Sequence, residues 1–359
     1  MKSIYLQILD RWSENCHIVL ATVTGTIGST PQKPGSSALF DKKGLIVGTV
    51  GGGVVEGKVQ QLALEALRSE ESGHFHFNLA NEISNKEEAI CGGQLDVLID
   101  ANLINSIPVF KQIRQSIADR IPGVLITMVT RFTEKVVLIN RYWMSHAIEP
   151  SIPTEFLEKI EPVVFSLLEA ANPSACKEME LSIPGEEPYS LFFLEPVFPP
   201  SQLVIAGAGH IGRALTHLCN LLDFETTVID DRSEYANSEN IPDADHLLVG
   251  NIGELMKEFN KTNNTYVVIV TRGHKDDAEA LKPCIDSELA YVGMIGSKKK
   301  ISAMRTDFIE NGWATPSKWS LIHAPVGLDI KSQTVQEIAV SIAAQLVLVR
   351  NSRKTKDKS

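Results

Sequence analysis

The most informative segment of the chain is QLVIAGAGHIGRALTHLCNLLDFETTVIDDR, residues 202–232. It reads, in order, as an apolar strand, a glycine-rich turn, an amphipathic helix and a second apolar strand ending in an acid, the order of a dinucleotide-binding βαβ unit. Gly207 permits the tight turn, Gly209 lets the backbone approach a phosphate, and Gly212 lets the helix pack closely on the strand. Asp230 ends the second strand, where a ribose diol is usually held. The segment therefore predicts a Rossmann-like fold in the C-terminal half.

The rest of the C-terminal half alternates between apolar strands and helical patterns, as a parallel sheet demands. Thr334 and Glu337 form a capping box that predicts the start of the last helix, which we expect to run to about Arg350. These patterns predict an α/β protein with a C-terminal Rossmann-like, doubly wound parallel sheet. Its predicted strands are Leu203–Ala206, Thr227–Asp230, His246–Val249, Tyr266–Thr271 and Ala290–Ile295.

The N-terminal half reads as a mixed α+β region. A helical pattern at 3–14 precedes a strand at 17–24 that is rich in β-branched residues, and DKKG at 41–44 is a hairpin signal. Further along, the pattern predicts two paired strands at 123–130 and 135–140.

Three prolines in EPVFPPS, residues 195–201, indicate a linker before the Rossmann-like part. The chain is long enough for two domains. We expect an N-terminal α+β domain at 1–120, a middle β-hairpin and helix region with the linker at 121–198, the Rossmann-like domain at 199–350 and a frayed tail at 351–359.

Composition narrows the class of protein. A formal charge of −10 argues against a nucleic-acid partner, because no basic face of the required size is suggested. The N-terminus lacks the apolar core of a signal peptide, and no window approaches the roughly 18 apolar residues of a membrane span. The five cysteines are scattered and never form a CxxC pair. We therefore expect a cytoplasmic protein with no membrane association, no disulfide framework and no metal site.

A ligand of a doubly wound sheet binds beyond the carboxyl ends of the strands. In this chain those ends carry a cluster of charged residues that should meet in one cleft. Amide groups at the helix start around His210 would point at an anion, and Ser297 with a nearby lysine could meet a phosphate. The predicted ligand-binding residues of this half are Gly207, Gly209, His210, Gly212, Asp230, Asp231, Arg232, Arg272, His274, Lys275, Gly296, Ser297 and Lys298.

Two glycine-rich turns of the N-terminal half are further candidates. Gly51, Gly52 and Gly53 precede a helix with Glu56 in its first turn, which is either an anion-binding nest or a tight turn that needs positive φ. Cys91 precedes two glycines in a second turn, where backbone amides can lower the pKa of the thiol and make it reactive. A lone loop cysteine can also be incidental.

Taken together, these segments resemble the XdhC/CoxI family, accessory proteins of molybdenum hydroxylases such as xanthine dehydrogenase. The resemblance covers roughly residues 17–100 and 200–350. In the N-terminal half it rests on GSTPQKPGSSALF, GTVGGGVVEGKV and CGGQLDVLID. In the C-terminal half it rests on VIAGAGHIGRAL, VIDDRSEYAN, VTRGHKDDAEAL, YVGMIGSKKK and HAPVGLDIKSQTVQEIAVSIAAQLV.

The resemblance implies a protein that binds the molybdenum cofactor and helps to insert its sulfurated form into an apo molybdenum hydroxylase of the xanthine dehydrogenase type. A glycine-rich helix start suits the terminal phosphate of molybdopterin, and Asp230 or Asp231 could take donors of the pterin or of a ribose. Cys91 could hold the metal or carry sulfur as a persulfide supplied by a cysteine desulfurase. The resemblance thus favours a cofactor-binding maturation factor over a catalyst, and we expect a homodimer.

The alternative is an NAD(P)-dependent oxidoreductase in which His274 or Lys275 donates a proton beside the nicotinamide. In that case Asp230 would favour NAD over NADP by repelling a 2′-phosphate, and Arg232 would soften the preference. A regulator that senses NAD without turnover is a further alternative.

Overall fold

The computed structural model describes residues 4–13, 17–79, 92–131, 136–147, 152–170, 175–182 and 190–356. The described chain separates into two compact units between Pro199 and Pro200. The finer division into parts at 1–120, 121–198, 199–350 and 351–359 stays a prediction.

The N-terminal unit contains two antiparallel sheets. The first has strand order β3-β2-β1-β5-β4 and the second β7-β6-β9-β8. The strands are β1 (Val19–Ile27), β2 (Ser37–Asp41), β3 (Gly44–Gly48), β4 (Gly73–Asn78), β5 (Gln94–Asp100), β6 (Gly123–Arg131), β7 (Val137–Ser145), β8 (Lys177–Leu181) and β9 (Ser190–Val197). The helices are α1 (Ile4–Ser13), α2 (Gly53–Ser69), α3 (Ile107–Ala118) and α4 (Thr154–Glu169), and a 3-10 turn at Leu103–Ser106 leads into α3.

Helices cover these sheets in layers. Val55, Val59 and Ala63 of α2 pack on one face of the first sheet. Helices α1 and α3 share one buried cluster with Leu39 of the first sheet and Trp143 of the second. Buried apolar residues of α4 pack on the second sheet in another cluster. The region beyond residue 120 therefore shares a core with the region before it.

The C-terminal unit is the predicted doubly wound sheet. Its strand order is β12-β11-β10-β13-β14, with every pairing parallel. The strands are β10 (Gln202–Ala206), β11 (Glu225–Asp230), β12 (His246–Val249), β13 (Thr265–Ile269) and β14 (Tyr291–Met294). The helices are α5 (His210–Leu221), α6 (Ile252–Glu258), α7 (His274–Leu281), α8 (Lys298–Glu310), α9 (Pro316–Trp319) and α10 (Val335–Lys356).

The two faces of this sheet are buried by different helices. Leu215 of α5 and Ile342 of α10 lie in the core of one face, whereas Met256 of α6 and Met304 of α8 lie in that of the other. Because both faces are covered, the central strands β10 and β13 are mostly apolar, as is usual for parallel strands. The chain order reverses between β10 and β13, which is where ligands bind in such sheets.

Several predicted elements differ in extent from the structure. The predicted linker at 195–201 is shorter, because β9 continues to Val197 and Pro196 pairs with Val124 of β6. β8 pairs with β9 only as far as Leu194. Among the described strands, Pro196 therefore has no neighbour on the β8 side, and its missing N–H costs no hydrogen bond there. The predicted strand at 135–140 begins at Val137 and continues to Ser145. The last helix begins at Val335, directly after Thr334 of its capping box, and extends to Lys356, past the predicted end.

A buried ion pair joins the two sheets of the N-terminal unit. The guanidinium of Arg141 on β7 contacts the carboxylate of Asp100 at the end of β5, and the two side chains are 3% and 2% exposed. Arg141 also donates to Ser106 Oγ at 2.9 Å, and Asp100 Oδ1 accepts the amide of Asn102 at 2.8 Å. Since both charges are removed from water, each depends on the other for compensation.

We expect Arg141→Met to lower the free energy of unfolding by about 3–5 kcal/mol, because it leaves the Asp100 carboxylate buried without its cation. The double variant with Asp100→Asn should lose less than the two single variants together. Urea denaturation measures both. As a control, His76→Ala breaks the exposed pair between His76 and Asp96 and should cost less than about 1 kcal/mol. Equal losses for Arg141→Met and His76→Ala would contradict the proposed role of the buried pair.

Candidate functional site

The glycine turn after β10 has the geometry that its sequence predicts. Gly207 has φ +119°, and a Cβ there would lie 2.5 Å from the carbonyl oxygen of Val270. A Cβ on Gly212 would collide with the carbonyl oxygen of Gly207. Gly209, which precedes α5, has no heavy atom within 4 Å of the position a Cβ would occupy. Two of the glycines are thus required by packing, and the third leaves open space above the turn.

Asp230 is an internal anchor of this turn. It is 1% exposed. Its Oδ2 accepts the amide of Ala208 at 2.7 Å and Nη2 of Arg232 at 2.9 Å. Its Oδ1 accepts the backbone amide and Nε of Arg232 at 3.0 and 2.8 Å. Because a carboxylate has about four acceptor positions, these four bonds leave little capacity for ribose or pterin donors.

The pKa of Asp230 reflects the same contacts. Burial acts to raise it, but the hydrogen bonds from Arg232 and from the Ala208 amide outweigh burial and hold it below its usual value. Arg232 in turn lies over the ring of Tyr235, with 3.9 Å between the guanidinium carbon and the ring centroid. Asp230 and Arg232 therefore lie together as predicted, but they bind each other.

An exposed ion pair spans the end of β10. Asp231 follows β11 and Arg272 follows β13, the two strands that flank β10, and Arg272 Nη2 lies 2.9 Å from Asp231 Oδ2. Arg272 Nε is also 3.6 Å from Asp276 Oδ2. The side chains of Arg272 and Asp231 are 56% and 41% exposed, so the pair is weak and a ligand could displace it.

A buried acid beside β13 was not among the predicted residues. Asp277, in the first turn of α7, is fully buried, accepts a hydrogen bond from Thr271 and pairs with Nζ of Lys300. Burial raises the pKa of Asp277 more than Lys300 and Thr271 lower it. The lysine-rich start of α8 is thus explained in part by the need of Asp277 for a cation. The only signal in the sequence is an Asp pair at a helix start together with the lysine run.

The other predicted residues of this edge have contacts or exposure of their own. Ser297 caps α8 by accepting the amide of Lys300 at 3.2 Å. His274 Nε2 lies 3.2 Å from Asp307 Oδ2 on α8. Lys275 and Lys298 are exposed, and a Cβ on Gly296 would touch Ile301 at 3.2 Å. Their predicted roles in ligand binding stay predictions.

The glycines of the N-terminal turn adopt the backbone that only glycine takes readily. Gly51, Gly52 and Gly53 have φ of +154°, +65° and +54°, which accounts for the tight strand-to-helix connection. Glu56 Oε2 accepts a hydrogen bond from Thr49 Oγ1 at 2.7 Å. A Cβ on Gly52 or Gly53 would meet no heavy atom within 4 Å, so the turn is open on that side.

Cys91, the predicted reactive thiol, lies outside the described residues. The described cysteines are poor nucleophiles. Burial raises the pKa of Cys219 and Cys284 to about 12, and burial together with the charge of Glu195 does the same for Cys176. Within the described ranges, three or more His, Cys, Asp or Glu side chains do not gather where they could hold a metal ion. Those ranges also contain no helix with the length and apolar character needed to span a membrane.

Comparison with protein families finds a match in each of the two units. Residues 11–78 match the XdhC and CoxI family, and residues 203–346 match the XdhC Rossmann domain. The chain belongs to the XdhC and CoxI family, and the predicted resemblance is confirmed.

Individual proteins are similar over nearly the whole chain. A Bacillus subtilis protein, named as a probable subunit of xanthine dehydrogenase, is 26% identical over 335 residues, covering 92% of this chain and 93% of its own. YqeB of Escherichia coli is 24% identical over 351 residues, and the chain spans about half of its length, 47%. A Bacillus halodurans crystal structure named a xanthine dehydrogenase superposes with a TM-score of 0.77 at 23% identity, covering 97% of this chain and 96% of its own. That structure supports the fold.

Alanine substitutions at Gly212 and Gly209 test which of these glycines is required for packing. Gly212→Ala should destabilise the C-terminal unit by about 1–3 kcal/mol, because its methyl group meets backbone that cannot move aside. Gly209→Ala, at φ −70° with open space beside it, should leave the free energy of unfolding within about 0.5 kcal/mol. Chemical denaturation distinguishes them, and a large loss for Gly209→Ala would mean that Gly209 is also a packing residue.

Asp230→Asn should lower the stability of the C-terminal unit by about 2 kcal/mol at pH 7, because the amide cannot satisfy Arg232 and the Ala208 amide together. The pKa of Asp230 is lower in the folded state than in the unfolded one. Its contribution is thus complete above the unfolded value of about 3.9 and disappears as the pH falls through the folded value.

The difference between wild type and Asp230→Asn should therefore shrink on acidification below about pH 4. Thermal unfolding across pH 2–7 measures it. Asp286→Asn is the matched control, because Asp286 is 76% exposed in its pair with Lys318. A difference that stays constant across that pH range would contradict the ionic role of Asp230.

Proposed function

We propose that the protein is an accessory factor of a xanthine dehydrogenase-type molybdenum hydroxylase, and that it binds the molybdenum cofactor and assists its sulfuration and insertion into the apo-enzyme. The observation that carries the proposal is the double family match, at 11–78 and 203–346. The Bacillus subtilis relative named for xanthine dehydrogenase, which aligns over 92% of this chain, supports the same partner.

The residues present fit one part of such a cofactor well. A phosphate needs close approach to backbone amides, and the open space beside Gly209 at the start of α5 provides that approach. For the pterin donors, the exposed carboxylate of Asp231 is the better candidate, because both oxygens of Asp230 are already engaged. When bound, the cofactor would supply the metal centre of the hydroxylase, and this chain would supply binding and transfer to the partner.

Sulfur handling is assigned to Cys91 within this proposal. Cys176, Cys219 and Cys284 are unsuitable, because a thiol with a pKa of about 12 is protonated at neutral pH and is not nucleophilic. A cysteine desulfurase as sulfur donor and a homodimeric state complete the proposal.

The alternative of an NAD(P)-dependent oxidoreductase finds less support in the site. The ribose diol of NAD would need the carboxylate of Asp230, whose acceptor positions are used by Arg232 and Ala208. A nucleotide-sensing regulator would meet the same obstacle. A direct measurement of cofactor and nicotinamide binding distinguishes both alternatives from the accessory role.

The test titrates the purified full chain anaerobically with molybdenum cofactor, with NAD and with NADH, and then mixes the loaded protein with apo-hydroxylase. We expect saturable cofactor binding, no nicotinamide response and recovery of hydroxylase activity. NADH binding without cofactor binding would overturn the proposal.

Cys91→Ala should abolish activation of the apo-hydroxylase, whereas the matched variant Cys176→Ala should retain it. Cofactor affinity is measured for both variants, so that loss of binding is distinguished from loss of sulfur transfer. If Cys91→Ala binds cofactor and activates the partner like wild type, Cys91 has no role in either step.

A further inference from the structure

A cavity of about 400 Å³ opens in the N-terminal unit, beside the loop that follows β1. Its lining comes mostly from loop residues 30–36, which belong to GSTPQKPGSSALF, a segment to which the proposed function gives no role. The other lining residues are Cys176, directly before β8, and Glu195 on β9. The cavity thus brings a titratable acid and a thiol against an otherwise unassigned loop.

The carboxyl group of Glu195 is incompletely compensated in this cavity. The hydroxyl of Tyr5 on α1 donates a hydrogen bond to it, and Arg141 lies close enough to attract its charge. The guanidinium of Arg141 is, however, already paired with Asp100. Burial raises the pKa of Glu195 to about 7, because burial outweighs these two contacts. Since a carboxylate has about four acceptor positions, Glu195 retains capacity for a donor in the cavity.

The loop contributes hydrogen-bond donors and a positive charge to the same cavity. Ser36 Oγ donates to Oε1 of Gln32 at 3.0 Å, so the oxygen of this amide is engaged. Within the described ranges, its two N–H groups are then the donors it can offer to a ligand. Lys33 is exposed and also lines the cavity. Burial and the charge of Glu195 raise the pKa of Cys176 to about 12, so its thiol is neutral at pH 7.

We propose that this cavity binds a free α-amino acid, with its ammonium group on the carboxylate of Glu195 and its carboxylate on Lys33 and the amide of Gln32. A zwitterion satisfies both ends of the cavity. An amine alone would meet the positive charge of Lys33, and a carboxylic acid alone would be repelled by Glu195. The inference goes beyond the proposed function, because it concerns a different ligand in the other unit of the chain.

The experiment screens the twenty common L-amino acids against the full chain by thermal shift and measures the affinity of those that bind by isothermal titration calorimetry. The amino acid that binds most tightly is then compared with its deaminated and its decarboxylated analogue. Each analogue should bind about tenfold more weakly or worse, because each loses one charge-assisted contact. Binding of none of the twenty would overturn the site, and an analogue that binds as tightly as the amino acid would overturn the assignment of a zwitterion.

Substitutions in the cavity test the two ends separately. Glu195→Gln removes the charge but keeps an oxygen for the hydroxyl of Tyr5, and it should weaken binding by about tenfold or more. Glu178→Gln is the matched control, since Glu178 is exposed on the neighbouring strand β8 and does not line the cavity. It should change affinity by less than about twofold. Equal losses for the two glutamine variants would contradict the role of Glu195.

Lys33→Met should weaken binding by about two- to fivefold, as expected for loss of an exposed ion pair. Thermal unfolding of each variant without ligand separates lost binding from lost folding, and the exposed position of Lys33 should leave the midpoint unchanged. A Lys33→Met protein that folds normally and binds as tightly as wild type would remove Lys33 from the site.

Binding should also be linked to a proton. Glu195 is about half protonated at pH 7, whereas the bound ammonium group requires its ionised form. Affinity should therefore rise about tenfold from pH 6 to pH 8, with release of about half a proton at pH 7 when calorimetry is repeated in buffers of different ionisation enthalpy. The groups facing Glu195 keep their charge over this range, because the pKa values of Tyr5 and Cys176 are raised and arginine, here Arg141, stays protonated. Both effects should vanish in Glu195→Gln, and a wild-type affinity that is independent of pH would overturn the role of Glu195.

Discussion

The carboxylate of Asp230 is the contact on which the C-terminal unit depends. It ties the amide of Ala208 in the glycine turn to Arg232 beyond β11, so the turn and the next strand end hold each other in place. In a dinucleotide-binding protein the acid at this point usually meets a ribose. Here the same acid is turned inward, where Ala208 and Arg232 take its acceptor positions. The motif therefore defines the fold more firmly than it defines the ligand.

The N-terminal unit uses a comparable constraint. Arg141 and Asp100 are almost wholly buried, and each is compensated by the other and by neighbouring polar groups. A buried pair contributes less to stability than apolar packing of the same volume could, but it tolerates no displacement of one partner from the other. It therefore fixes the position of β7 relative to β5 within the unit. Each unit therefore contains a charged pair with at least one buried partner beside its apolar clusters.

The fold was predictable where the signal is local. The β-branched runs and the glycines of 202–232 determined the parallel sheet, and DKKG determined the β2–β3 hairpin. Helix α3 was missed, although Ile107, Phe110 and Ile113 recur at helical spacing. The site was less predictable, because hydrogen-bond partners depend on side-chain geometry that spacing does not contain. The pairing of Asp277 with Lys300 joins two helices, and nothing in either segment alone indicates it.

The raised pKa values of the described thiols have a practical consequence for the chemistry of sulfur in this chain. The thiolate is the form of cysteine that attacks alkylating reagents and sulfur donors, and the pKa of Cys176, Cys219 and Cys284 is raised to about 12. Three of the five cysteines are thus silent at neutral pH. An alkylating reagent applied to the native protein should therefore label these three thiols slowly. Rapid labelling would report on the remaining two cysteines.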